Sequence, residues 1–215
     1  MPTTASMIEA VFLDFDGVIV ESADIKTAAF HAMYRAYGEA VVERAVAHHR
    51  ANGGISRRKK IRHCHRTLLG IELAEADLDR LCHRFSMLVE DAVVEAPLVP
   101  GAGDFLASHH RRLPLYVVSG TPETELLRIV ERRDLGRFFA EVHGSPREKP
   151  PIIQGILAKL GLTPEQTLFV GDARTDYDAA DACGVPFVGR VGTDGFNPFP
   201  PQTRVVRDLV GLMLA

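Results

Sequence analysis

Three short apolar runs in this chain end in acidic or small hydroxylic residues. They read Leu13-Asp14-Phe15-Asp16-Gly17, Val118-Ser119-Gly120-Thr121 and Val170-Gly171-Asp172. If the runs are neighbouring parallel strands, their carboxyl ends face one crevice, the usual ligand position in an open α/β sheet. Asp14, Asp16, Ser119 and Asp172 then converge on one small volume. Carboxylates brought that close repel one another and resist ionisation. A hard divalent cation removes the penalty, and Mg²⁺ favours a few carboxylates with positions left open. Taken singly, each aspartate reads as a turn or cap residue. Recurrence at three strand ends favours a metal–phosphate site instead.

The elements that must position these residues can be read from the apolar pattern. Runs at 10–13, 115–118, 167–170 and 186–188 read as buried strands, with weaker ones at 140–142 and 203–206. Helical patterns at 123–133, 152–160 and 176–183 lie between the later runs. Strands alternating with helices imply a parallel sheet covered on both faces. Thr121-Pro122-Glu123 and Thr163-Pro164-Glu165 resemble helix starts, and Gly184 a helix stop. The stretch 22–95 differs, with helical patterns, no clear strand, and Gly53-Gly54 and Gly70 as breakers. Ala96-Pro97-Leu98-Val99-Pro100-Gly101 then marks a boundary. The expected architecture is a Rossmann-like α/β core of residues 1–21 and 96–215, interrupted after its first strand by a helical cap at 22–95.

Composition narrows the function classes. The 215 residues are 46% hydrophobic and 25% charged, which excludes a disordered or fibrous chain. The formal charge of -3 argues against a protein that holds nucleic acid by neutralising phosphates. No apolar run is long enough to span a bilayer, and the N-terminus lacks the pattern of a signal peptide. A cytoplasmic protein without membrane partners is expected. Cys64, Cys82 and Cys183 are far apart, so free thiols are expected rather than a disulfide framework or zinc cluster. Nothing in the chain specifies an oligomeric state.

The ordered motifs resemble the haloacid dehalogenase superfamily of phosphohydrolases, in the subgroup of phosphoglycolate phosphatases and beta-phosphoglucomutases with helical caps. Asp14-Phe15-Asp16-Gly17 is similar to the first motif, Ser119 to the second, Lys149 to the third, and Gly171-Asp172 with Asp176 to the fourth. The resemblance implies that Asp14 is the nucleophile, forming an aspartyl-phosphate that splits one hard step into two. Asp16 would protonate the leaving oxygen, deprotonate the attacking water, and bind Mg²⁺ through its backbone carbonyl. Ser119 and the Gly120 amide would hold phosphate oxygens, and Lys149 would offset the charge shared with Asp14. Asp14 and Asp172 would be metal ligands, with Asp176 acting behind them. Arg147 is a nearby competitor for the role of Lys149, although Lys149 directly precedes Pro150-Pro151. Glu21 and Asp24 read as linker residues.

The cap segment Gly53-Gly54-Ile55-Ser56-Arg57-Arg58-Lys59-Lys60-Ile61-Arg62 is dense in positive charge. Its plain reading is a solvated helix face. Gly-Ile-Ser-Arg is also similar to a mutase cap segment, which makes Arg57 a candidate substrate contact. The histidines at 48, 49, 63, 65, 109 and 110 lack metal-ligand spacing and read as surface or partly buried residues. A Mg²⁺-dependent phosphatase of a small phosphorylated metabolite, a sugar phosphate or phosphorylated acid, is the preferred function. A beta-phosphoglucomutase-like mutase is the rival, weakened because Lys26 stands where its helper histidine is expected. A non-enzymatic receiver-like phosphoacceptor is a third reading, weakened by the length of the chain and the intervening cap.

Overall fold

The computed structural model describes residues 7–192 and 195–214. Six parallel strands form one sheet: β1 (Ala10–Leu13), β2 (Leu115–Pro122), β3 (Glu141–Ser145), β4 (Thr167–Gly171), β5 (Phe187–Arg190) and β6 (Val205–Val206), in the order β3-β2-β1-β4-β5-β6. The expected α/β class and parallel sheet are present. β1 lies in the middle, flanked by β2 and β4, with Leu13 opposite Val117 on one side and Val170 on the other. The three strands whose ends carry Asp14, Ser119 and Asp172 are therefore adjacent.

Burial on both faces explains why β1 is continuously apolar. Its side chains alternate, Val11 and Leu13 entering one core cluster while Ala10 and Phe12 enter the other. The second cluster is closed by Ile152, Ile153 and Ile156 of α7 (Lys149–Leu160) and Ala179 and Ala180 of α8 (Arg174–Ala182). The first continues into the inserted segment.

That segment contains α1 (Ala23–Tyr34), α2 (Glu39–Ala51), α3 (Arg57–Cys64) and α4 (Glu75–Glu95), with a π-helical turn at His65–Leu69 following α3. Phe30, Tyr34, Val42, Ala45, Ile61, Leu78, Phe85 and Val89 form its buried interior. Two helices complete the order, α5 (Ala102–His109) and α6 (Glu123–Arg132). The apolar pattern does not announce α5, because Gly101 and Gly103 interrupt it. Gly101 has φ +78, and a Cβ there would lie 2.3 Å from the Val210 nitrogen, so the C-terminal segment packs directly on its backbone.

Two helix starts differ from expectation. β2 runs on through Pro122, which takes the cap position of α6, so Thr121 is free to act elsewhere. α7 begins at Lys149 rather than at 152, because Pro150 and Pro151 fit the first turn, where a missing N–H costs no bond. At Thr163 the expected start exists, but as a short 3₁₀ turn, Pro164–Gln166, with a capping box.

Candidate active site

The strand ends deliver the acids as a group. One oxygen each from Asp14, Asp172 and Asp176 lies within 4.8 Å of the others. The turn after Asp14 depends on Gly17, which has φ +72 and would place a Cβ 2.0 Å from Asp172 Oδ2. Gly171 has a similar part, since its Cβ would meet the Asp176 side chain at 2.3 Å. Neither glycine can be replaced without displacing a carboxylate.

Lys149 sits inside this acidic group, its Nζ 3.1 Å from Asp14 Oδ2 and 2.5 Å from Asp176 Oδ1. The other Asp176 oxygen accepts from the Ala173 N–H at 3.0 Å. Both oxygens of Asp176 are thus engaged, and the fully buried residue holds Lys149 in place. Asp14 Oδ1 accepts from the Phe15 N–H at 2.7 Å. The competitor Arg147 lies outside this group and bonds Glu123 and His143 on the surface.

Electrostatics separate the acids. Burial pushes Asp14 up to about 7 against the pull of Lys149, with Asp176 and Asp16 adding to the rise. Burial, then Asp14 and Asp176, raises Asp172 well above the ordinary carboxylate range. Burial opposes the charge on Lys149, but Asp14 and Asp176 hold its pKa above the usual value. One ammonium against three clustered carboxylates leaves a negative excess. The oxygens of Asp14 and Asp172 fit a hard cation in both charge and donor type.

Asp16 lies outside that trio. Its carboxylate accepts from Ser22 Oγ at 2.6 Å, from Thr121 Oγ1 at 2.8 Å, and from Lys26 Nζ. Burial alone would raise its pKa, but Lys26 and these hydroxyls hold it down to about 2. Lys26 also donates to Thr121 Oγ1 at 2.7 Å. Ser119 is buried with its Oγ accepting from the Thr121 N–H at 3.2 Å, and Gly120 lies next to it at the cavity wall.

The cavity above these residues measures about 980 Å³ and reaches from Asp14, Asp16, Ser119 and Asp172 to α2 and α3. Core and insertion touch closely at its edge. A Cβ on Gly120 would lie 2.2 Å from the Gly54 carbonyl oxygen, and Thr175 Oγ1 donates to the Gly53 carbonyl at 2.7 Å. The basic segment 53–62 divides by direction. Arg58 and Arg62 pair with acids of α4, and Lys59 with Glu148, all on the surface. Arg57 and Lys60 turn inward and are buried.

Arg57 lines the cavity, but its guanidinium is engaged by other side chains. It gives Nη1 to Glu125 at 2.7 Å and Nη2 to Glu125 at 2.6 Å, and Nη1 also reaches Ser86. The expected fork toward substrate is therefore directed at α6. Glu21 is more than a linker residue, because it pairs with the buried Arg190, which also donates to the Gly17 carbonyl at 3.3 Å. That contact braces the turn after the first acids. Its signal was legible in Phe187-Val188-Gly189-Arg190, a fourth apolar run ending in a charge. Resemblance had placed Lys26 at the position of the mutases' helper histidine, but nothing in the sequence pattern marked Lys60 as lining the cavity. Among the histidines, His65 is buried and bonds the Tyr34 hydroxyl at 3.0 Å, while His48 and His63 stack at 3.9 Å.

The chain is similar to known proteins over most of its length. The sequence profile of the haloacid dehalogenase-like hydrolases matches residues 8–184. A phosphoglycolate phosphatase of Pseudomonas putida is 31% identical over 221 residues, covering 94% of this chain and 78% of that protein. One from Salmonella paratyphi A is 37% identical over 108 residues, a match covering 46% of this chain and 41% of that protein. The crystal structure of a beta-phosphoglucomutase from Clostridium difficile superposes with a TM-score of 0.75 at 17% identity, covering 96% of this chain and 94% of that one. The sheet order, the acids at adjacent strand ends and the profile match over most of the chain lead to one assignment: this chain belongs to the haloacid dehalogenase-like hydrolase family.

Proposed function

We propose that the protein is a Mg²⁺-dependent phosphatase of a small phosphorylated metabolite, working through an aspartyl-phosphate on Asp14. The observation that carries this reading is Asp14 itself, buried 3.1 Å from Lys149 and clustered with Asp172 and Asp176 beneath a large cavity. Residues 1–21 and 96–215 would act as the core and 22–95 as a cap. Asp14, Asp172 and the backbone carbonyl of Asp16 would hold Mg²⁺, which when bound supplies positive charge to the phosphoryl oxygens. The remaining work falls to the chain. Asp14 attacks phosphorus, and the leaving oxygen departs toward Asp16. Lys149 offsets the charge shared by Asp14 and the transferring group, while Ser119 and the Gly120 amide orient its oxygens. Asp176 fixes Lys149 in position.

Asp16 is ionised while Lys26 holds it, which is the form that takes a proton from the attacking water. Donating a proton to the leaving oxygen requires the Lys26 contact to loosen first. Relatives that are phosphoglycolate phosphatases support a phosphorylated small acid as the substrate.

A phosphate-release screen over phosphorylated acids and sugars, with and without Mg²⁺, tests the reading. Release should require Mg²⁺, and Asp14→Asn should lower turnover by at least about 10³-fold in a folded protein. Near-normal turnover of Asp14→Asn would overturn the assignment. Conversion of a hexose 1-phosphate to the 6-phosphate with little free phosphate would replace hydrolase by mutase.

A further inference from the structure

The charged groups that line the cavity differ in whether another residue answers them. Lys26 is held by Asp16 and Thr121, and Arg57 by Glu125 and Ser86. Arg190 is held by Glu21 and two backbone carbonyls, and Arg174 pairs with Asp178 at the exposed edge. Lys60 is different. It is 4% exposed and lines the cavity, yet no carboxylate lies within ion-pair distance of it among the described residues. Its Nζ donates to His49 Nδ1 at 3.0 Å and to the His49 carbonyl at 3.3 Å, and sits 6.0 Å from the centre of the Phe30 ring.

Both acceptors are neutral. While Lys60 is an ammonium it can only donate, so His49 then accepts at Nδ1 and carries its proton on Nε2. Burial, then the nearby Lys60 charge, pushes His49 down to about 3, so the ring stays uncharged. An ammonium has three N–H groups, and two acceptors leave one of them without a bond in the arrangement described. Burial and then Lys26 pull Lys60 down to about 7, partly offset by the fields of Asp16 and Asp172. A buried cation with only neutral partners is stabilised by any anion that enters beside it. The reacting phosphoryl group would sit beside Asp14 and Ser119, which line the same cavity as Lys60.

We propose that Lys60, with His49 behind it, is the cap subsite for a second anionic group on the substrate, in place of Arg57. The substrate class is then a small phosphate monoester with a carboxylate or second phosphate at its far end. This rests on the phosphatase reading for the position of the first phosphate.

The test compares three two-carbon compounds: ethyl phosphate, 2-phosphoglycolate and ethane-1,2-diyl bisphosphate. In the wild-type protein, kcat/KM should be higher for one or both compounds with a second anion than for ethyl phosphate. Lys60→Met should narrow that ratio by at least tenfold, chiefly through KM, and Lys60→Arg should recover part of it. Preference for the carboxylate or for the second phosphate in the wild-type protein identifies the natural anion. A ratio unchanged within twofold in Lys60→Met would overturn the subsite. Lys60→Met places an apolar chain where a buried cation stood, so its melting temperature should be unchanged or raised.

Calorimetry on the Asp14→Asn background reads binding without turnover. If the wild-type protein releases no phosphate from any compound, the phosphatase reading fails alone. Lys60→Met in that background should still weaken 2-phosphoglycolate or bisphosphate binding at least tenfold more than ethyl phosphate binding. Equal weakening of all three would overturn the subsite independently.

Discussion

Asp14 has neighbours that pull its proton in opposite directions. Lys149 at 3.1 Å favours the carboxylate, while burial and the other acids favour the neutral form and keep it near 7. A cation placed between Asp14 and Asp172 removes the disagreement by favouring the ionised form of both. EDTA should therefore abolish phosphate release and Mg²⁺ should restore it. In Asp172→Ala the Mg²⁺ concentration for half-maximal rate should rise about tenfold or more, measured by titration of the chelated protein. Mg²⁺ should also raise the melting temperature of the wild-type protein and do so far less in the variant. An Mg²⁺ response unchanged in Asp172→Ala would remove that residue from the metal site.

Between elements, α3 and the loop before it approach the core closely. Arg57 and Glu125 form a bidentate pair with side chains only 6% and 2% exposed, joining α3 to α6. Removing one partner strands a buried charge, so Arg57→Ala should destabilise folding by about 3–5 kcal/mol in urea titrations. The double change Arg57→Met with Glu125→Leu should recover most of that loss, because two apolar side chains need no partner. If Arg57→Ala instead left stability intact and raised KM for the substrate alone, the fork would belong to the substrate after all. Gly120→Ala acts at the same junction by volume. Its Cβ would sit 2.2 Å from the Gly54 carbonyl oxygen, and backbone cannot move aside as a side chain can. A loss of about 1–3 kcal/mol in stability and a lower kcat/KM are expected.

At the scale of the molecule, the surface pairs that bridge α4 and α6, such as Arg128 with Glu90 at 2.6 Å, are exposed and contribute little. Interior groups set the response to pH. His49 stays neutral down to about 3 in the fold, whereas an unfolded histidine protonates near 6.5. Between those values the unfolded chain binds the extra proton, so stability falls as pH drops through that window and is fully present above it. His49→Gln keeps an acceptor for Lys60 but cannot titrate. Urea midpoints at pH 7.5 and 4.5 should therefore differ less in the variant than in the wild-type protein, by about 1–3 kcal/mol in the derived stability. Equal slopes in both would mean His49 is not the buried titrating group. No helix among the described residues is long and apolar enough to cross a membrane.

The sequence by itself determined the sheet and the identity of the acids. Apolar runs such as Ala10–Leu13, short and alternating with helical patterns, read as strands covered on both faces, and the family motifs mark the acids at their carboxyl ends. Those signals are local, a few residues of pattern each, and so they survive without coordinates. The partners of the charges are not local. Resemblance marked the positions of Lys26 and Arg57 but not the partner of either, and nothing marked Lys60. One lysine is held by Asp16, the other has only His49, and Arg57 and its neighbour Arg58 go separate ways. One arginine is buried on Glu125, and the other lies on the surface with Glu75 and Asp79. Arg57 and Glu125 are 68 positions apart, and Lys26 and Thr121 are 95 apart. A contact over such a separation depends on where whole helices come to rest, and only tertiary packing decides which charge is neutralised and which is left to meet a ligand.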